Sequence, residues 1–329
     1  MRAHRTYLSM TLSLITFSTA VPARASDADS RGFSFAVVAD PRGHEETWKN
    51  ALTEIRDMKV NPPPRFAPAR LVVVVGDMDP ADRRYADFKE VFSVAGRRPL
   101  FLPVIGNHDL KDDSEHFPYI RDLIIPFIPG AVRRHAASCD YYLDHGNTRL
   151  IAIDAYTDLG EKGVIHARGR EWAERVITSA PATIEHIFIC FHEPAFPRHR
   201  HLYSSFNAGP RERDAFWKML VAHRDRVRAV FVSHDHRYYR MRVKDPSGAA
   251  ASDASTFPDE EGGIYQVDVG ATGMDWVSTI VVVQVDGKNL TFRVIQAANG
   301  KNKPFSVKDE WRLSTGQSFS AVDRGSISM

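Results

Sequence analysis

The stretch ARLVVVVGD, residues 69–77, decides how this chain is read. Its five consecutive apolar residues are almost all β-branched, and they stop abruptly at Gly76-Asp77. A short run without alternation suits a strand buried on both faces, as in a parallel sheet. A carboxylate directly after such a strand is delivered to the sheet edge where open α/β folds bind ligands. Outward from this stretch the same punctuation recurs four times. FSFAVVAD (33–40) ends in Asp40, and PLFLPVIGNHD (99–109) ends in Gly106-Asn107-His108-Asp109. IFICFHEP (187–194) presents His192, and VRAVFVSHDH (227–236) ends in Ser233-His234-Asp235-His236. Five strand ends thus offer carboxylate, amide and imidazole donors to one sheet edge. Such oxygen and nitrogen donors suit one or two divalent cations of the Mn, Fe or Zn kind.

Between these strands the period changes to that of helices. Residues 45–60 place Trp48, Leu52 and Ile55 on one face, and Asn61-Pro62-Pro63-Pro64 ends the segment. Residues 82–95, 168–179 and 211–223 are further predicted helices. The β-α-β-α-β rhythm predicts a parallel core with right-handed crossovers. Residues 140–155 read as a hairpin turning at Gly146-Asn147. Late in the chain, residues 262–270, 278–286 and 289–297 are predicted strands without intervening helices, the last two joined by a tight turn at Asp286-Gly287. They are expected to build a second sheet packed on the first. The expected fold class is α/β: a four-layer αββα sandwich of two mixed sheets with outer helices. Residues 197–209 and 245–262 read as poorly ordered polar stretches, and 300–329 lacks periodicity and is expected to have at best partial order.

The ordered set of clusters resembles the calcineurin-like metallophosphoesterases, over roughly residues 33–297. That family carries D-x-H, G-D, G-N-H-[DE], a strand-end His and G-H-x-H in this order. Two positions depart from it here: Arg42 stands where the family has His, and Ser233 where it usually has Gly. The family shares the αββα layering. The resemblance implies two divalent metals held by Asp40, Asp77, Asn107, His192, His234 and His236, with Asp77 bridging them. It implies that a metal-bound hydroxide attacks a small phosphate mono- or diester. His108 would face the phosphate and assist the leaving oxygen, oriented by Asp109.

Arg42 stays protonated and cannot donate a lone pair to a cation. The first metal is then left with Asp40, Asp77 and His236. Water can fill the missing position, His44 can substitute, or Arg42 can contact the substrate phosphate through its planar guanidinium. A non-catalytic phosphate- or nucleotide-binding protein on a degenerate scaffold is the alternative reading, favoured by Arg42 alone. His199 and His201, just beyond His192, are expected to be solvated loop residues.

Residues 1–25 read as a signal peptide, with basic Arg2 and Arg5, an apolar stretch and the small-x-small site Ala23-Arg24-Ala25. The apolar stretch is shorter than the ~20 residues of a membrane span. The expected organisation is a signal peptide (1–25), one phosphoesterase domain (26–299) and a tail (300–329), exported to the periplasm or beyond and without a stable membrane anchor. Cleavage removes three arginines and no acid, taking the formal charge from +2 to −1. A near-neutral chain lacks the basic footprint of a nucleic-acid binder. Of the two cysteines, Cys190 reads as a small buried hydrophobe, and whether it pairs with Cys139 is open.

Overall fold

The computed structural model describes residues 32–110, 115–251, 255–274 and 277–315. The expected signal peptide and residues 316–329 lie outside them. The first half contains β1 (Phe33–Val38), α1 (Glu45–Asp57), β2 (Ala69–Val75), α2 (Ala81–Val91), β3 (Leu100–Val104), α3 (His116–Tyr119), β4 (Val132–Arg133), β5 (Tyr141–His145) and β6 (Thr148–Ala152). A small ribbon of β7 (Gly160–Glu161) and β8 (Val164–Ile165) follows, then α4 (Ala167–Thr178), β9 (His186–Cys190), α5 (Pro210–Ala222) and β10 (Val227–Val232). The chain continues through β11 (Tyr238–Val243), α6 (Pro246–Ala251), β12 (Ile264–Val269), β13 (Val277–Asp286), β14 (Asn289–Ala298) and β15 (Ser306–Ser314).

Two large mixed sheets result. One has the order β15-β14-β13-β1-β2-β3, the other β11-β12-β10-β9-β6-β5-β4. β1, β2 and β3 are parallel, as are β6, β9, β10 and β12. All five motif-bearing strands therefore point the same way within their sheets. Phe35 and Phe292 of the first sheet meet Phe188 and Phe231 of the second, with ring centroids 5.1–6.2 Å apart. This aromatic layer fixes the two sheets face to face. Burying each such ring contributes about 1.5–3 kcal/mol.

The outer faces are covered by helices whose apolar stripes are buried. On α1 these are Trp48, Ala51, Leu52 and Ile55. The indole of Trp48 donates to the Arg84 carbonyl at 3.2 Å, tying α1 to α2. On the opposite side, Trp172, Phe216 and Trp217 of α4 and α5 pack in a second buried cluster. α1 ends at Asp57, three residues before the expected end. Met58 turns into the left-handed region (φ 49°), and Glu54 Oε1 accepts the Val60 N–H at 2.7 Å.

Two expectations are corrected, on the late strands and on the 197–209 loop. The late strands do not form a sheet of their own. β12 joins β10 in the second sheet, whereas β13 pairs antiparallel with β1 and carries β14 into the first. Within residues 300–315, β15 pairs with β14, and Trp311 stacks on Phe292 with the rings 7° from parallel. The 197–209 loop is rooted rather than loose, since Pro197, Arg198, Ser205 and Phe206 are buried. Residues 246–251 form the short helix α6, and 252–254 lie outside the described residues. Cys139 and Cys190 are both free and buried. No helix among the described residues is long and apolar enough to cross a membrane.

Candidate metal centre

The six predicted ligands come from both sheets rather than one. Asp40, Asp77 and Asn107 follow β1, β2 and β3, while His192 and the pair His234/His236 follow β9 and β10. Asp40, Asp77, His234 and His236 all adopt positive φ, between 45° and 71°. For residues other than glycine such a conformation costs about 1–3 kcal/mol each. It turns the chain sharply beyond each strand. Strain concentrated on these positions is a sign of function, because packing alone does not need it.

The side chains converge. His192 Nε2 lies 3.5 Å from Asp77 Oδ1 and 4.0 Å from Asp40 Oδ1. His236 Nε2 lies 3.4 Å from Asp40 Oδ1. Donor atoms of Asp40, Asp77 and His236 all fall within 4.8 Å of one another. The ring of His234 sits 5.1 Å from that of His192. His192 Nδ1 is 2.8 Å from the Val75 carbonyl, which can only accept. Nδ1 therefore carries the proton, and Nε2 faces the carboxylates. Such an outer hydrogen bond fixes both tautomer and ring direction.

The buried atoms here without a hydrogen-bond partner include Asp40 Oδ1, His192 Nε2 and Asn107 Oδ1. Leaving a buried polar atom unsatisfied costs about 1–3 kcal/mol, unless a cation or water completes it. Asp77, Asn107, His192 and His234 thus fit a cation by donor chemistry, with His192 and Asp77 also brought together. The other set, Asp40, Asp77 and His236, brings its donor atoms together but has one protein ligand fewer. Ser233 Oγ hydrogen-bonds Asp40 Oδ2, and Arg42 Nη1 lies 3.7 Å from Asp77 Oδ2.

Electrostatics agree with the geometry. Burial pushes the Asp77 carboxyl up to about 6, despite the nearby His192. Burial also opposes a charge on Asp40, but the His236 and His192 imidazoles beside it hold its carboxyl below the usual range. Burial disfavours a charged His192, yet the Asp77 and Asp40 carboxylates outweigh it and raise the imidazole to about 9. Burial lowers His234 to about 2, keeping it in the neutral form that ligates metals. Two buried carboxylates lie among three buried imidazoles, a balance that a divalent cation resolves.

The remaining predicted residues are placed as follows. His108 is partly exposed, with Nε2 3.9 Å from Asp77 Oδ2, and its backbone N–H donates to Asp77 Oδ1 at 2.9 Å. Asp109 is fully buried and accepts the N–H groups of Met78 and Gly106, both at 2.8 Å. It thereby ties the β2 loop to the β3 loop. Arg42 extends between Asp77 and Asp79, with Nε 3.2 Å from Asp79 Oδ1. His44 is exposed at the start of α1, where its side chain makes no capping bond.

Three residues of the site were not legible beforehand. The imidazole of His201, expected in solvent, lies against His234 with centroids 3.9 Å apart and the rings tilted by 38°. His199 instead packs towards Tyr239 and Phe257. Glu193 is buried behind His192, accepts the Tyr156 hydroxyl at 3.0 Å, and is raised by burial to about 7. Asp235 binds the 197–201 loop. The Glu-Pro after His192 was the only local hint of Glu193, while nothing local pointed to the loop-binding role of Asp235 or to the contact of His201 with His234.

A family model, "Calcineurin-like phosphoesterase", matches residues 33–238, and the chain belongs to that family. Solved structures with the same fold include a purple acid phosphatase from yellow lupin (Lupinus luteus) seeds. It is 14% identical, with a TM-score of 0.62 over 91% of this chain and 57% of that one. A dimetal phosphatase from Danio rerio is 12% identical, with a TM-score of 0.51 over 84% and 98%. A structure of PhoD is 9% identical, with a TM-score of 0.58 over 90% and 73%. The chain thus spans little more than half of the lupin phosphatase. A search of curated protein sequences finds no match.

Proposed function

We propose that this chain is an exported, metal-dependent phosphoesterase acting on a small phosphate mono- or diester. The observation that carries the reading is the set of buried, partnerless donors Asp40 Oδ1, His192 Nε2 and Asn107 Oδ1 at the ends of parallel strands, with His192 Nε2 facing the Asp77 carboxylate. Divalent metals bound there would acidify a water nucleophile and neutralise phosphoryl oxygens. Asp77, Asn107, His192 and His234 would hold one metal, and Asp40, Asp77 and His236 the other, more weakly. His108 would keep a proton at Nε2 for the leaving oxygen. Asp109 keeps the loop carrying His108 against the loop carrying Asp77. Arg42 would contact a phosphoryl oxygen from the Asp77 side. Nucleic acid is not an expected partner, given the near-neutral mature charge.

Arg42 is also the one feature favouring a second reading, a phosphate-binding protein without turnover. Turnover of p-nitrophenyl phosphate and bis(p-nitrophenyl) phosphate, measured with Mn, Zn and Fe added in turn, separates the two. Hydrolysis that chelators abolish supports the enzyme. Saturable phosphate binding without hydrolysis under any metal supports the binding protein.

A further inference from the structure

We propose that Asp235, between the two histidines of the Ser-His-Asp-His cluster, is the positioning residue that builds the substrate wall of this pocket. The inference deepens the phosphoesterase reading and rests on it for the identity of the ligand.

The 197–205 loop leaves β9 without regular structure, yet its backbone follows a defined path. Asp235 is fully buried. Its Oδ2 accepts the N–H of Arg198 at 2.9 Å and of His199 at 3.3 Å, and its Oδ1 accepts the N–H of Arg200 at 3.3 Å. The Tyr239 hydroxyl lies 3.1 Å from the same Oδ2. Three successive amides thus turn inward onto one carboxylate. Gln266 adds a second anchor just upstream: its amide group accepts the Phe196 N–H and donates to the Phe196 carbonyl, both at 3.0 Å. Between its buried ends at Pro197 and Phe206 the loop is polar, and ordering it costs backbone entropy that these amide bonds help to offset.

The clamp has a direction. His234 and His236 point into the centre, and the residue between them holds the loop. The chain continues from the clamp to His201, which is held at φ 57° with its ring 3.9 Å from that of His234. Ser204 Oγ lies 3.3 Å from His201 Nδ1, and Arg200 Nε lies 3.4 Å from His201 Nε2. One carboxylate therefore couples the metal-ligand loop to a cationic, imidazole-bearing wall. An Arg guanidinium and an imidazole at that place suit the phosphoryl oxygens and the leaving group of an anionic ester.

The test is Asp235→Asn in the full chain loaded with zinc. The amide keeps the shape but replaces one acceptor oxygen with an NH2 that faces N–H donors. Hydrogen exchange at Arg198–Arg200 should quicken at least tenfold, and the His201 ring should lose the shift imposed by His234 in NMR spectra. Metal per chain should stay unchanged. For p-nitrophenyl phosphate, kcat/KM should fall roughly ten- to a hundredfold, mainly through KM, as for loss of a charge-assisted contact. His201→Ala should show a similar fall, and the double variant no more than either alone. Losses that add in full, unchanged exchange, or a drop in metal content would each overturn the proposal, the last by showing that Asp235 serves the ligands themselves. A wild type that hydrolyses no phosphoester would defeat the proposed function instead. Exchange and ring shift would still judge the clamp.

Discussion

His192 of one sheet is pinned by Val75 of the other: the imidazole Nδ1 lies 2.8 Å from the Val75 carbonyl. The bond crosses between the two sheets at the point where both present metal donors. It requires Gly76, the next residue, for two reasons. Gly76 has φ 84°, and a Cβ there would collide with His192 Nδ1. Gly76→Ala is therefore expected to keep the fold but displace His192. Metal affinity should fall 10–100-fold, the scale of losing an orienting contact. Circular dichroism with metal titration checks this; wild-type affinity in the variant would remove the cross-sheet bond from the argument.

Direct ligand loss should be more severe. Asp77→Asn replaces a carboxylate oxygen that both candidate metal positions share, and His192→Ala removes an imidazole facing two carboxylates. Each variant should lose at least as much as Gly76→Ala in metal content and in turnover, while staying folded. Metal analysis and kinetics on the same preparations read both. Normal metal content with near-wild-type turnover in the pair would refute the site assignment.

Much of this site was legible because it is written in strand ends. Runs such as LVVVV and FSFAVV encode burial directly, and the residue after each run is placed by the end of the strand. The residues that escaped are those placed by partners distant in the chain. β15 (KDEWR at its centre) has one fully inward residue, Trp311, and its order comes from pairing with β14 and stacking on Phe292. Edge strands of this kind are set by cross-strand packing rather than by their own pattern. The sheet that receives β12, β13 and β14 is likewise a non-local choice. His201 lies over His234 because Asp235, more than thirty residues on, collects the loop amides.

Metal stabilisation should depend on pH in a defined direction. His192 is raised to about 9, so the metal-free fold draws stability from its protonated form below the ordinary value of 6.5. That stability is lost as the pH rises through 9. Asp77 is raised to about 6, so above the ordinary carboxylate value its burial works against the metal-free fold, fully so beyond pH 6. A divalent cation needs both groups deprotonated and takes over both roles. The rise in Tm on adding metal should therefore grow from pH 6 to pH 9. Thermal unfolding with and without zinc across this range measures it. A gain that shrinks with pH would contradict the charge balance described for the centre.

The last prediction concerns Arg42. Its guanidinium lies 3.7 Å from Asp77 Oδ2 and 3.2 Å from Asp79 Oδ1, on the flank of the less complete metal position. Arg42→His would place a neutral donor there and remove a fixed positive charge beside the cations. Metal stoichiometry is expected to rise toward two per chain. The kinetics then tell what the arginine does. If it only leaves the position one ligand short, turnover is kept or increased. If it also holds the substrate phosphate, KM worsens while metal content still rises. Losing one charge-assisted contact corresponds to about 1.5–3 kcal/mol, or roughly ten- to a hundredfold. Metal analysis and steady-state kinetics on wild type and variant separate these outcomes. An Arg42→His protein that gains no metal, beside a wild type inert toward every phosphoester, makes the binding protein the better account of this chain.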